Sequence, residues 1–408
     1  MKKSIIIFAI IAVVCLTCCG FTAKDPDVHL TLTLDGQKVF EQQYNLSFAT
    51  KATKIFIYSN DYDRYFDHFD STESALIAID PNLPAEIDRL AEEYYIAPQN
   101  ATCVFYNGSF EYSKEVYGRK ISKQELARRI LEQFGKNILI DLATTPITPD
   151  ISEVDLKMNT VKLSEFSTSF TTSSEGRSAN IAVATDAINN TIIEAGDSFS
   201  FNTVVGARTK ANGYSSATII ENGEFIEGIG GGVCQVSTTL YNAALLAGAS
   251  VSTVSHHSLP ISYVAPSFDA MVSEFSDLVF ENNTNYPIYI SATAEDKTLT
   301  FTIFGYPKYG DCSPILRSVV IETISSTAYT DIINNSELAD DEDIKILKYP
   351  IDGLISEGYI DLYKNGELVS STRLRRDTYK PQNGKRILRE QSEDTPIEND
   401  GLATDEAS

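Results

Sequence analysis

Gly228-Ile229-Gly230-Gly231-Gly232-Val233-Cys234-Gln235-Val236-Ser237-Thr238-Thr239-Leu240-Tyr241-Asn242-Ala243-Ala244-Leu245-Leu246-Ala247-Gly248 is the stretch around which the rest of the chain is organised. The clustered glycines at its start predict a sharp backbone turn. From Cys234 to Ala247 no Gly or Pro intervenes, and Gly248 is a C-terminal stop, so a helix is predicted over 234–247. A helix N-terminus presents free N–H groups and the positive end of the helix dipole. A cysteine placed there has its thiolate stabilised, and thiolate is the nucleophile. The same N–H groups are placed to hold an oxyanion, which makes Gly231, Gly232 and Gln235 candidates for the oxyanion loop. Depressing a thiol pKa by one to two units requires about 1.4–2.7 kcal/mol, within the reach of a dipole and a nearby imidazole. The competing reading of Cys234 is a buried structural residue opening a core helix.

His256-His257-Ser258 follows the helix. A cysteine nucleophile needs a base, and histidine is the usual one. Adjacent residues of an extended segment face opposite ways, so only one of the two imidazoles can meet Cys234. Asp269 lies beyond, available to orient that imidazole as a third member. The competing readings are a surface strand end for the histidines and a turn residue for Asp269.

Composition narrows the class. The chain has 408 residues, enough for two to three domains, and its hydrophobic fraction of 43% and charged fraction of 22% are those of a globular protein. The net charge of −23 excludes a nucleic-acid binder, which needs a basic footprint. The six cysteines are too few for a disulfide scaffold, and three of them, Cys15, Cys18 and Cys19, lie in the first twenty residues. Cys103, Cys234 and Cys312 remain, an odd number. Without a CxxC, and with four scattered histidines, no metal site and no cofactor is expected.

Lys2 and Lys3 precede an apolar run from Ile5 to Leu16, the pattern of a secretion signal over residues 1–24. Leu16-Thr17-Cys18-Cys19 also resembles a lipobox with Cys19 as the lipidated residue. Lipidation, an uncleaved anchor and simple cleavage remain open, and all three place the rest of the chain outside the cytoplasm, the first two at the cytoplasmic membrane.

The organisation is multidomain α+β. Residues 28–150 form a first α+β domain. Asp35-Gly36 and Asn107-Gly108 mark hairpins, residues 84–95 an amphipathic helix, and Ser122-x-x-Glu125 a capping box ahead of a helix stopped by Gly135. Strands are expected at 55–58 and 138–142. Residues 155–310 form a second α+β domain, with a helix over 177–190, a strand at 198–201 and strand patterns at 260–264, 271–280, 286–292 and 298–304. Residues 315–390 alternate as a small β-module whose clearest hairpin turns at Asn365-Gly366. Residues 391–408 carry six acidic and no basic residues, an expected disordered tail.

Residues 180–292 closely resemble the VanW domain of bacterial envelope proteins. The matching segments are Asn180–Asn190, Gly196–Asn202, Val205–Thr209, Gly213-Tyr214, Gly230–Leu246, His257-Ser258, Tyr263 and Asp269-Ala270. The family pattern has Gly shortly before the Asp, where Ser267-Phe268 stands here. The resemblance implies cell-wall work. VanW domains are also regarded as a class of L,D-transpeptidase with the motif cysteine as nucleophile. Carried onto this chain, that residue is Cys234 and the base is His257. Residues 55–150 more loosely resemble the peptidoglycan-binding domain that often precedes such domains. The third region, with Arg376-Asp377-Thr378-Tyr379-Lys380-Pro381, resembles the β-module that often follows and is generally taken to adhere to wall glycans.

The implied partners are peptidoglycan stem peptides and glycan, and the implied reaction a cross-link between the diamino acids of two stems. Arg208 is the candidate for the stem carboxylate, because a bidentate fork suits it, against an ion pair as the competing reading. Ser237 and Tyr241, one to two turns after Cys234, and Tyr263 are candidates to line the site, with packing as the competing role. A wall-binding protein without catalysis, and a cysteine amidase or endopeptidase with water as acceptor, are the alternatives. Acceptor choice depends on water exclusion, which the sequence leaves open.

Overall fold

The computed structural model describes residues 27–45, 71–133, 137–221, 224–339 and 342–389. The expected signal with Cys19, the strand at 55–58, the stop at Gly135 and the acidic tail lie outside them. The described residues form a mixed α+β structure of seven α-helices and several small sheets. None of these helices is long and apolar enough to cross a membrane. The chain divides into two compact units: Met1–Thr102 with Ser113–Glu153, and Cys103–Tyr112 with Val154–Ser408.

In the first unit, β1 (Asp27–Leu34) pairs antiparallel with β2 (Gln37–Asn45) through the predicted turn, where Asp35 and Gly36 both have positive φ. That geometry matches the twist of a two-residue hairpin. Three helices follow: α1 (Thr72–Ile79), α2 (Leu83–Glu93) and α3 (Lys123–Gln133). The strand β3 (Ile138–Asp141) returns parallel to β1. Alternation on β1 buries Val28, Leu30, Leu32 and Leu34. Helical spacing on α3 buries Leu126, Ala127, Ile130 and Leu131 against the same core. Each of these Val, Leu and Ile side chains taken from water contributes about 1.5–3 kcal/mol.

The second unit is built on the antiparallel sheet β4-β7-β6-β5. Its strands are β4 (Val161–Ser169), β5 (Thr191–Ile193), β6 (Ile288–Glu295) and β7 (Thr298–Gly305). One face carries Ile288, Ile290, Leu299, Phe301 and Ile303. They share a core with Ile181, Ala184 and Ile188 of α4 (Glu175–Ile188) and Val236, Leu240 and Ala244 of α5 (Val233–Ala247). On the other face Tyr289 stands opposite Phe304, and Phe105 and Phe110 cover them with ring centroids 4.9–5.9 Å apart. The hairpin tip around Asn107-Gly108, expected with the first domain, thus belongs to the second unit: its aromatic side chains have an aromatic sheet face to bury against.

The expected β-module also belongs to the second unit. Its main sheet runs β8 (Ser313–Ile324), β9 (Gly353–Lys364), β10 (Glu367–Tyr379), with β9 and β10 joined at Asn365-Gly366, both at positive φ. Much of the expected strand structure between 260 and 280 is absent. Only Val279–Glu281 is a strand, beside an isolated bridge between Ser255 and Met271. The reason is that backbone groups of 268–272 bond to side chains of α5 rather than to a ladder, as described next.

Candidate active site

The glycine turn is set by close approach. A Cβ on Gly231 would come within 2.5 Å of the Thr218 carbonyl oxygen, and Gly232 sits at φ +106° as the N-cap of α5. Asn180, wholly buried on α4, clamps the turn: its amide donates to the carbonyls of Ser215 and Gly231, and its oxygen accepts from the Ser215 N–H. The carbonyls of Gly230 and Gly232 accept from the amides of Val233 and Gln235. Among the described residues no acceptor reaches the Cys234 amide. It is the free first-turn donor that a helix start leaves over.

Cys234 is the second residue of α5 and keeps partial solvent access. Its Sγ lies 3.4 Å from the Val272 carbonyl oxygen. Further along the same helix face, Ser237 Oγ donates to the Ala270 carbonyl at 2.6 Å and Asn242 Nδ2 to the Phe268 carbonyl at 2.8 Å. Thr238 Oγ1 accepts from the Ala270 amide at 2.9 Å. Helical spacing at 234, 237–238 and 242 is thereby matched to alternate carbonyls of an extended chain at 272, 270 and 268. Asp269, between them, turns away from the helix.

The helix also explains the spacing to the histidine. From Cys234 to Ala247 it rises about 20 Å. Gly248, left-handed at φ +83°, ends the helix, and the chain on to His257, a strand over Ser250–Thr253, has a reach of up to about 30 Å, enough to return to the helix start. The Ser255–Met271 bridge then sets the register: two residues on, His257 faces Asp269. His257 donates from its backbone N at 2.6 Å and shares its ring Nδ1 at 2.7 Å, both with Asp269 Oδ2. The same ring is electrostatically coupled to the Cys234 thiol, each group favouring the charged form of the other. His256 points elsewhere, with Nδ1 on the His257 carbonyl and its ring edge-on to Tyr379 at 5.1 Å. Register, which neighbouring residues do not reveal, separates the two histidines.

The electrostatics follow. Burial favours the neutral forms of both partners, but the mutual interaction outweighs it. Burial raises the Cys234 pKa, but the interaction with His257 and the charge of Arg208 outweigh it, so the net shift is down. Burial lowers the His257 pKa, but Asp269 and Cys234 carry it up to about 9. Burial likewise opposes ionisation of Asp269, and the hydrogen bonds from His257 and Tyr379 hold its carboxyl below the ordinary range. All three shifts run toward the charged forms, thiolate, imidazolium and carboxylate. Asp269, 1% exposed, is completed on Oδ1 by the Tyr379 hydroxyl at 2.6 Å, and its carbonyl accepts from Arg375 Nη1 at 3.0 Å.

The other candidates divide. Arg208 reaches the site electrostatically. It binds Asn202 Oδ1, and Asn202 in turn donates to the carbonyls of Ser273 and Ser276 just beyond Val272. The Arg208 Nε is buried without a partner among the described residues. Tyr263 lies within electrostatic reach of the thiol: its pKa is raised by burial first and then by the Cys234 charge. Gln235 does not serve the oxyanion through its side chain: Nε2 donates to Thr168 Oγ1 and the Ser169 carbonyl, and Oε1 accepts from Arg177. Ser237 is wholly buried as a staple between Cys234 and Ala270, and Tyr241 is buried against the Arg375 guanidinium, 6.0 Å from its ring centroid. Neither lines an open site; both pack. The Ser267 departure is accommodated: Ser267 takes φ +66°, the backbone that a glycine adopts without strain. Cys103, Cys234 and Cys312 are all free thiols.

Sequence reading missed Tyr379, Arg375 and the Asn180 clamp. Asn180 and Tyr379 lie inside stretches it had singled out, but a hydroxyl more than a hundred residues from its carboxylate leaves no local signal.

Residues 176–304 match the family described as "VanW like protein", and residues 81–138 the family described as "Putative peptidoglycan binding domain". The chain is 40% identical over 167 residues to "Uncharacterized protein YoaR" of Bacillus subtilis (strain 168), covering 40% of this chain and 55% of that one. It is 28% identical over 136 residues to "Vancomycin B-type resistance protein VanW" of Enterococcus faecalis (strain ATCC 700802 / V583), covering 32% and 50%. The chain thus spans about half the length of the curated relatives it matches. Among solved structures, the G5 domain of HP0197 matches at 16% identity over 19% of this chain and 99% of that one, with a TM-score of 0.12. The G5 domain of an IgA1 protease matches at 16% identity over 20% and 94%, with a TM-score of 0.14.

Proposed function

From the premise that this is a VanW-domain, cell-wall-associated protein, we propose that it is a cysteine acyltransferase of peptidoglycan stem peptides, an L,D-transpeptidase. One observation carries the reading: a half-buried cysteine at a helix N-terminus, electrostatically coupled to an imidazole that is itself held by a buried carboxylate. Packing alone does not call for this arrangement, since burying a charged pair costs free energy that apolar side chains would not.

In the proposed cycle the Cys234 thiolate attacks the carbonyl of the diamino acid that precedes the terminal D-Ala of a donor stem. The oxyanion is received by the Cys234 backbone N–H. The His257 imidazolium gives its proton to the departing D-Ala amine, leaving a thioester and a neutral imidazole. The side-chain amine of a second stem then attacks the thioester. His257 takes the proton that amine loses, and the thiolate is released with a new amide between two diamino acids. Asp269 keeps the imidazole in one tautomer throughout. Arg208 is the proposed partner of a stem carboxylate, its Nε being a buried donor in want of an acceptor.

The test incubates the purified chain with disaccharide-tetrapeptide and follows products by mass spectrometry. The expected product is a dimer lacking one D-Ala, lost in Cys234→Ala. Dimer formation by Cys234→Ala, or none by the wild type, would overturn the reading. Monomer shortened by one residue without dimer would assign water as acceptor and make the protein a hydrolase.

A further inference from the structure

We propose that the C-terminal β-module completes the Cys234 site by supplying Tyr379 as a positioning residue for Asp269. The proposal rests on the triad reading of that site and extends it to residues 353–379.

Period-two alternation brings Arg375, Asp377 and Tyr379 to one face of β10. Their register partners on β9 are Gly358, Ser356 and Leu354. The segment around Ser267 lies against this face. Ser267 Oγ pairs with Ser356 Oγ at 2.7 Å, and a Cβ on Gly358 would come within 3.0 Å of the Ser267 carbonyl oxygen. The Tyr379 hydroxyl is wholly buried here. It accepts from the Ser267 N–H at 2.8 Å and donates to Asp269 Oδ1 at 2.6 Å. Arg375 donates to the Asp269 carbonyl and pairs with Asp377 at 2.7 Å.

This divides the work of one carboxylate. Oδ2 serves His257 twice, through its backbone N and its ring Nδ1. Oδ1 would otherwise be a buried anion oxygen without a donor, an arrangement that favours protonation. Tyr379 fills that place and stops the carboxylate from rotating out of the imidazole plane. The titratable groups around Asp269 are His257 and His256 on the arm leaving α5, Cys234 and Tyr241 on α5, Tyr263, and Arg375, Asp377 and Tyr379 on β10. Of these only His257 and Tyr379 hydrogen-bond the carboxylate itself. Removing the hydroxyl raises the pH at which Asp269 takes a proton, and a neutral acid no longer holds the imidazolium that stabilises the thiolate.

The experiment uses the full chain and iodoacetamide, with Cys234 alkylation resolved from that of Cys103 and Cys312 by peptide mass spectrometry across pH. In Tyr379→Phe the acid limb of the Cys234 profile is expected to move up by about one pH unit, tenfold in rate on the limb, the size of one hydrogen bond to a charged group. Ser356→Ala removes another bond from the same contact and is expected to leave the limb in place. 3-Fluorotyrosine at position 379, a stronger donor of nearly the same shape, is expected to move the limb down, and it keeps the question answerable should Tyr379→Phe not fold. A Tyr379→Phe profile that superimposes on the wild type, a Ser356→Ala shift as large as that of Tyr379→Phe, or an unmoved fluorotyrosine profile would overturn the proposal. No peptidoglycan is involved. Failure of the dimer assay with these shifts intact would overturn the transpeptidase reading alone, and the reverse pattern would overturn only the role of Tyr379.

Discussion

The two units place their polar groups differently. In the first, the side chains packed into the core are apolar: Leu30, Leu32, Ile87, Leu90, Ile130 and Ile140 meet between three helices and a short sheet. Its charged pairs, such as Lys123 with Asp88 and Arg128 with Glu125, sit in solvent on the helix surfaces. In the second unit a core of the same kind lies beside a seam of buried Asn180, Gln235, Ser237, Thr238, Asn242, His257 and Asp269. Among the described residues every buried polar or charged side chain lies from Asn159 onward. A buried polar group is costly unless it is hydrogen-bonded, so it fixes a geometry where a methyl group would only fill a space. The first unit is specified by shape. The second is specified by shape and by partners, and the partners converge on one thiol.

Three substitutions break or sharpen that contrast. Asp269→Ala is expected to have the largest effect. It orphans His257 and Tyr379 together and leaves a buried imidazolium without its counter-charge, which costs about 3–5 kcal/mol. Thermal melting should show the second unit destabilised, with Cys234 alkylation at neutral pH falling in parallel. Ile130→Ala is expected to cost the first unit about 3 kcal/mol through the cavity it leaves. The alkylation profile of Cys234 should be unchanged by it, and a shifted profile would erase the distinction drawn between the units. Arg128→Ala, which breaks exposed pairs on α3, is expected to leave the melting temperature where it was.

How much was legible depended on the distance over which the information acts. The glycine turn, the helix over 234–247 and the Asn-Gly hairpins are local, and their residues announce them. The thiolate-favouring position of Cys234 is local too. His257 over His256 is a matter of register, set by pairing with a segment twelve to sixteen residues away. Gln235 shows the limit most clearly: its position at a helix start suggested an oxyanion donor, but Thr168 and Ser169 on β4 had already taken its amide. Ser267 in the left-handed region and Tyr379 behind Asp269 belong to one contact between stretches far apart in the chain, and no periodicity points across that gap.

The same carboxylate and imidazole fix the expected pH behaviour. Asp269 contributes stability above its ordinary pKa and loses it as pH falls. His257, raised to about 9, contributes fully below its ordinary 6.5 and loses that contribution as pH rises toward 9. The depressed Cys234 works the other way, gaining over the same range, so the pair offsets itself near neutrality. The central claim, that Cys234 is a thiolate held by His257, is tested most directly by the pH dependence of Cys234 alkylation in the intact chain and in His257→Ala. The account predicts a wild-type rate that stays on its plateau from pH 9 down through neutrality, and a limb that returns to the ordinary thiol range when the imidazole is removed. A wild-type limb already in that range, and unmoved in His257→Ala, would contradict it.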